Sequence, residues 1–228
     1  MLTFIIDTAT NIGSVALFHE KIGIIGEINI NVKTNHSALI TKLIDSLFQL
    51  TEYKVEDIDR VCVTLGPGSF TGIRIGVALA KGLAFSLDKK IVGINELDLL
   101  ASVVEHDRRE IVSMIDARKE RTYMCKYKFS SGGKLERNIE YQVGKVVEFL
   151  GKLDLTKEYL FVGNGALAYK EIIYSKLGEK GHIVSLPNSI PRAGMAGKLI
   201  AGMKDDDLFS LEPFYISKSQ AERAKIKK

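Results

Sequence analysis

Three short apolar runs open the chain: TFIID at 3–7, SVALFH at 14–19 and IIGEININV at 24–32, joined by tight connections rich in Gly and Asn. Runs of this length, rich in Ile, Val and Phe and bounded by turn residues, predict strands. A helical periodicity follows at about 37–50, then a strand at 60–65, a helix at about 71–87, a strand at 90–94 and a helix at 96–105. The predicted order is βββαβαβα. The pattern then begins again. Strands are predicted at 111–116 and 121–129, with a weaker one near 135–141 after the Ser-Ser-Gly-Gly turn. A helix at about 143–151, a strand at 159–162, a helix at 165–177, a strand at 182–185 and a helix at 192–203 complete the second pass.

The repeat has a residue-level counterpart. Laid over one another at an offset of 109, IIDTATNIGSVALF (5–18) covers MIDARKERTYMCKY (114–127), with Asp7 on Asp116. In each copy Ile precedes the aspartate, and a short polar turn and a second strand follow it. The element order is that of the ribonuclease H-like fold, the half-unit of the actin, Hsp70 and sugar kinase superfamily. The predicted class is therefore α/β, with duplicated ribonuclease H-like halves in an actin-like ATPase domain architecture, divided as 1–108 and 109–228. That resemblance implies two hairpins facing nucleotide phosphates across a cleft, with Asp7, Thr8, Thr10 and Asp116 as the contacts. ATP or ADP at a subunit interface is the one cofactor this leaves open.

Two helices carry more apolar surface than one sheet can cover. In 71–87 the charges are Arg74 and Lys81, which fall on one narrow line, and Gly72, Gly76, Ala80 and Ala84 recur every four residues as a smooth seam that a second helix could approach. In 37–50, Leu39, Ile40, Leu43, Ile44, Leu47, Phe48 and Leu50 span about half the circumference, wider than the ~100° stripe that one sheet requires. Adjacent over-apolar helices point to an exposed patch and so to a protein interface. The competing reading is that they bury each other beneath the second half. For the interface, the partner-binding residues are Leu39, Ile40, Leu43, Leu47, Gly72, Arg74, Gly76, Ala80, Lys81 and Ala84.

Candidate chemistry narrows the field. GPGSFTGIRIG (66–76) follows a strand and opens a helix, a place where amides can hold an anion, yet it lacks the Gly-Lys-Ser/Thr of a Walker A loop. A tight turn with Ser69 or Thr71 as helix cap explains it as well. His36 has Ile40 where a helical metal pair would need its second ligand, and no triad-like spacing surrounds His19, His106 or His182, so neither a metal site nor catalytic residues are expected. Cys62 and Cys125 lie in apolar segments and read as buried reduced thiols. The formal charge of +4 is matched by residues 218–228, where five cations oppose Glu222. A basic tail, rather than a basic face with stacking groups, argues against direct RNA gripping by the body of the protein. No apolar run spans a bilayer and no secretory pattern opens the chain, so a cytoplasmic protein is expected.

GPGSFTGIRIG, together with IDTAT (6–10), IDARKERTY (115–123) and the closing EPFYISKSQAE (212–222), resembles the bacterial TsaB (YeaZ) family. The resemblance implies a non-catalytic subunit. It would support the paralogue TsaD, which transfers threonylcarbamoyl to the adenosine beside the anticodon of ANN-reading tRNAs, with the ATPase TsaE as further partner and tRNA engaged through the complex. It also implies that the helices at 37–50 and 71–87 form the shared bundle. Because a helix seam suited to a paralogue can also suit itself, a homodimer is the fallback when the chain is alone. An ATP-hydrolysing actin-like enzyme, a glycoprotease-like metallopeptidase and RNA binding through the tail are the alternatives. Arg121 stands where the family commonly has Glu, and Ser217 where it has Arg.

Overall fold

The computed structural model describes residues 1–31, 36–105 and 107–216, the side chains of 36–38 and 187 excepted. His106, Ser217 and the basic tail 218–228 lie outside the described residues, as does the His36 side chain. Strands β1 (Leu2–Asp7), β2 (Ile12–His19), β3 (Gly23–Asn31), β4 (Arg60–Thr64) and β5 (Lys90–Ile94) form one sheet in the order β3-β2-β1-β4-β5. The first three are antiparallel, whereas β1, β4 and β5 run parallel. Helices α1 (His36–Leu50), α2 (Phe70–Ser86) and α3 (Glu96–Ala101) alternate with the later strands.

The second sheet repeats this plan. It comprises β6 (Glu110–Asp116), β7 (Arg121–Phe129), β8 (Leu135–Arg137), β9 (Gln142–Lys145), β10 (Tyr159–Val162) and β11 (Gly181–Ile183), in the order β11-β10-β6-β7-β8 with β9 also on β7. The duplicated actin-like architecture expected from the element order is present. One detail of the alignment changes. Asp7 pairs with Ser14, but Asp116 pairs with Thr122, so the second turn is one residue tighter and the offset of 109 holds only as far as the aspartate. The tighter turn leaves Arg118, Lys119 and Glu120 at φ of 63°, 54° and 58°, left-handed values that non-glycine residues seldom adopt.

Helices in the second half are shorter than their periodicity predicts. Over 165–177 the chain makes α5 (Asn164–Ala168) and α6 (Lys170–Leu177), broken at Tyr169, whose φ of −113° leaves the helical range while its hydroxyl reaches the Asp116 carboxylate at 2.6 Å. The stretch at 143–151 begins as β9 and becomes helix only at α4 (Val146–Leu150). The 192–203 segment is a 3₁₀ turn followed by α7 (Ala196–Ile200).

Packing follows from the pleat. All six residues of β1 and all five of β4 are buried, so both faces of these central strands need cover, as in the parallel sheets of α/β proteins. Phe4, Ile6, Val61 and Val63 meet α1 and α2 on one face. Ile5 and Cys62 meet Ala193, Met195, Ala196 and Ile200 on the other. The second cover thus comes from the far end of the chain. Reciprocally, Leu97, Leu100 and Ala101 of α3 join Ile111, Ile115, Cys125 and Tyr127 in the core of the second sheet. Each half lends a helix to the other.

Residues 205–215 then return along the first half. Asp206 donates its amide to Ile91 O (2.9 Å) and accepts from Gly93 N (2.7 Å), closing the β5 edge. Arg60, buried in β4, holds the approach to this segment: Nε meets Asp205 at 2.7 Å, and its other nitrogens donate to the carbonyls of Ile200 (3.3 Å) and Met203 (3.1 Å). Replacing Arg60 by Met keeps the apolar stem and strips these bonds, which should cost ~1–3 kcal/mol. Calorimetry should show Tm falling by about 2–4 °C for each kcal/mol lost.

Candidate functional site

The hairpin that the superfamily resemblance marks as a nucleotide contact is packed shut in the first half. Asp7 is 0% exposed, and its Oδ1 accepts from Ala9 N (2.9 Å) and from Thr64 Oγ1 (2.6 Å). Thr8 is buried and donates to Gly72 O (2.7 Å), while Thr10 is buried and accepts from Ile12 N (3.1 Å). Asp7 ties the turn to the end of β4, Thr10 braces the turn itself, and Thr8 holds it against the 66–72 loop. The loop is shaped by that contact. Ser69 donates its amide to Ala9 O at 2.6 Å and, of the two candidates, is the one that caps α2, accepting from Gly72 N. A Cβ on Gly68 would run into the Ala9 carbonyl, and one on Gly66, at φ 105°, would come within 2.7 Å of Ile73. The glycines of GPGS therefore serve close backbone approach.

Asp116, the repeat counterpart, is only partly buried. It accepts from Arg118 N (2.8 Å) and Tyr169 Oη (2.6 Å), and its amide donates to Asn164 (3.0 Å). Burial, together with this aspartate, pushes the Tyr169 hydroxyl up to about 12. Asp7 and Asp116 thus each serve their own hairpin and share none of these partners.

The first half holds a carboxyl that the sequence did not single out. Glu96, first residue of α3, is 0% exposed and lies within electrostatic reach of the Asp7 carboxylate. Burial, reinforced by the Asp7 charge, holds its pKa well above the ordinary glutamate value. In the sequence it looks like a routine acid in a helix first turn behind the Asn95 cap, so nothing marked it. Both thiols are buried and free, and burial pushes Cys62 up to about 12 and Cys125 up to about 11.

On α2 the structure redirects the small-residue seam. Gly72, Gly76, Ala80 and Ala84 are buried and face inward, so they are not a surface for another chain. A Cβ on Gly72 would strike the Thr8 carbonyl, and one on Gly76 the Thr8 hydroxyl. The small residues are there to let α2 sit on the β1–β2 turn. Arg74 and Lys81 are redirected too. Arg74 Nε donates to Tyr215 Oη (2.9 Å) with its guanidinium 3.8 Å from the Phe70 ring, and Phe70 stacks on Tyr215 with centroids 5.0 Å apart. Lys81 Nζ donates to the carbonyls of Phe209 and Leu211, each at 3.0 Å. Both cations fasten the 205–215 segment to its own helix. On α1, Ile40, Leu43 and Leu47 are core and Leu39 is packed against it, while Thr41, Lys42, Asp45 and Gln49 face outward.

What remains uncovered is a stripe between α1 and the returning segment. Thr71, Ala78, Gly82, Phe85 and Ser86 are exposed, with Ile75 and Leu79 half-buried beside them. Phe85 is 67% exposed and Phe209, edge-on to it at 6.3 Å, is 75% exposed. An added Cβ on Gly82 meets nothing within 4 Å, so the floor of the stripe is open. Among the described residues no three of His, Cys, Asp and Glu gather as a ligand set, and no helix is long and apolar enough to cross a membrane.

The two matching sheets and their exchanged helices define an α/β protein of duplicated ribonuclease H-like halves. The family model for TsaD, tRNA N6-adenosine threonylcarbamoyltransferase, matches residues 12–225. The tRNA threonylcarbamoyladenosine biosynthesis protein TsaB of Bacillus subtilis is 32% identical over 97% of this chain and 96% of its own. A tRNA N6-adenosine threonylcarbamoyltransferase of Clostridium perfringens is 31% identical, but over only 39% of this chain and 26% of its own. A Pseudomonas aeruginosa structure described as similar to peptidase YEAZ superposes with a TM-score of 0.79 at 22% identity, covering 95% of this chain and 99% of that one. The chain belongs to the TsaB family, within the wider group that the TsaD model describes.

The two kinds of glycine on α2 should separate cleanly. Gly72→Ala overpacks the hairpin and should cost ~1–3 kcal/mol, whereas Gly82→Ala on the open stripe should stabilise by up to ~1 kcal/mol through helix propensity. Urea midpoints of the two variants check this.

Proposed function

We propose that this chain is the non-catalytic subunit of a tRNA threonylcarbamoyladenosine-forming complex, acting in the cytoplasm by docking a TsaD-type catalytic paralogue on the outward stripe of α2. The observation that carries this reading is the apolar strip Ile75, Ala78, Leu79, Gly82 and Phe85, left open after the chain has used its sheet, α1 and residues 205–215 to cover the rest of the helix. Contiguous exposed apolar surface of this kind marks interfaces. Ala78 and Gly82 would let a partner helix approach closely, and Phe85 and Phe209 offer large apolar anchors at the rim. The family context supplies the partner's identity: TsaB relatives carry the name of the tRNA-modifying process, and the model that matches this chain is that of the transferase. Asp7, Thr8 and Thr10, bonded internally and buried, support a subunit whose chemistry is done by its partner. TsaE completes the assembly in this reading, and tRNA is engaged through the complex.

The test uses residues whose side chains leave the core untouched. Ala78→Glu and Gly82→Leu should fold with Tm near that of the parent, yet lose at least about tenfold in affinity for co-expressed TsaD, the equivalent of ~1.4 kcal/mol. A reconstitution with TsaD and TsaE should lose tRNA modification in step. Undiminished co-purification of both variants overturns the docking face, and a chain that pairs only with itself through this stripe overturns the heterodimer.

A further inference from the structure

We propose that the turn between β6 and β7, with the end of β9 beside it, is a cationic platform for the phosphate backbone of tRNA, so that this chain itself holds part of the RNA. Arg118, Lys119 and Lys145 are exposed and Arg121 is half-buried. The charge tally along the sequence, a neutral body with a basic tail, counts these cations one by one. The fold gathers them. β9 pairs with β7 in a register that sets Arg121 directly opposite Lys145. Residues so paired send their side chains to one face of the sheet, with Cβ atoms about 5 Å apart.

The turn that carries three of them is pinned at several points. Arg121 N donates to Arg118 O (3.2 Å), Ala117 N to Arg121 O (2.9 Å) and Val146 N to Glu120 O (3.1 Å). Tyr169 Oη braces it as well, 2.6 Å from the Asp116 carboxylate and 3.3 Å from Arg121 O. Stability alone would choose differently here. The left-handed residues 118–120 would be glycine or asparagine, and an acid would stand opposite Arg121, because like charges across a strand pair repel. Nor do the acids of the turn offset the cations. Asp116 is turned to Tyr169 Oη and Arg118 N, leaving Glu120 as the exposed carboxylate. Among the described residues none of the four cations forms an ion pair, whereas Arg60, Arg109, Arg137 and Arg192 each meet a carboxylate.

Clustered cations with no carboxylate of their own attract anions, and guanidinium groups take phosphate oxygens through paired N–H donors. These four are spread over an outward turn and the strand beside it, an arrangement suited to an extended run of phosphates. Contacts of that kind fix the position of an RNA and carry no sequence information. The platform therefore orients tRNA and leaves recognition of the base to other parts of the assembly. This inference rests on the reading of the chain as a subunit of a tRNA-modifying complex, but it uses none of the α2 residues.

Fluorescence anisotropy of the full chain with an unmodified tRNA transcript, from about 50 mM to about 200 mM salt, tests this without TsaD. The variant carrying Arg118→Gln, Lys119→Gln, Arg121→Gln and Lys145→Gln together should lose at least about tenfold in affinity at the low-salt end. Its slope of log affinity against log salt should shrink by about 1 for each phosphate contact removed. Glu120→Lys adds a cation to the same turn, so it should tighten binding and steepen the slope, and it decides the matter should the quadruple variant fail to fold. Unchanged affinity and slope in either variant, or no binding by the parent at about 50 mM salt, overturns the platform. So does a loss of ATP affinity in the quadruple variant with tRNA affinity intact. Ala78→Glu, aimed at the α2 docking face, should leave tRNA binding by the chain alone untouched, which keeps failure of the docking reading distinct from failure of this one.

Discussion

Burial of the central strands on both faces is the constraint from which this molecule is built. A sheet whose middle strands read LTFIID and RVCVT cannot be left with one side in water, and α1 and α2 of the βββαβαβα half cover only one side. The chain meets the deficit by exchange: α3 goes to the second sheet, and residues 193–200 return to the first. Everything downstream of that exchange is positioned by it. The 205–215 segment lies along α2 because α7 and Arg60 have brought it there, and the surface left open on α2 is the remainder after that covering.

This gives α2 three distinct faces with three causes. Small residues turn inward because the β1–β2 turn lies too close for a Cβ at Gly72. Cations take one flank because the carbonyls of Phe209 and Leu211 and the Tyr215 hydroxyl accept hydrogen bonds there. Apolar residues left exposed or half-buried occupy the third. A helix that served its own core alone would carry polar side chains there, as α1 does at Thr41, Lys42, Asp45 and Gln49. The contrast between the two helices, more than apolarity as such, is what gives the α2 stripe its meaning.

The fold was largely legible in the sequence because strand runs and helix periodicity are local signals, and the repeat of Ile-Asp before a turn exposed the duplication. What was misread depended on distant parts of the chain. The Gly72–Gly76–Ala80–Ala84 line has the same spacing whether its neighbour is a partner helix or the chain's own hairpin, and only the approach of Thr8, 64 residues away from Gly72 in sequence, decides between them. Arg74 and Lys81 looked free because their partners, Tyr215 and the carbonyls of Phe209 and Leu211, lie more than a hundred residues downstream. Glu96 was invisible for a related reason: burial and the charge of Asp7, not its local pattern, set its character. Tyr169 broke a helix that periodicity would have continued, again through a tertiary bond, to Asp116.

The central claim is that the open face of α2 is covered by the catalytic paralogue and not by solvent. Hydrogen exchange of this chain, with and without TsaD at saturating concentration, tests it most directly. Peptides spanning Phe70–Ser86 and 209–215 should gain strong protection on addition, while those of β10 and β11 stay unchanged. Unaltered exchange along α2, with protection appearing elsewhere, would contradict the account.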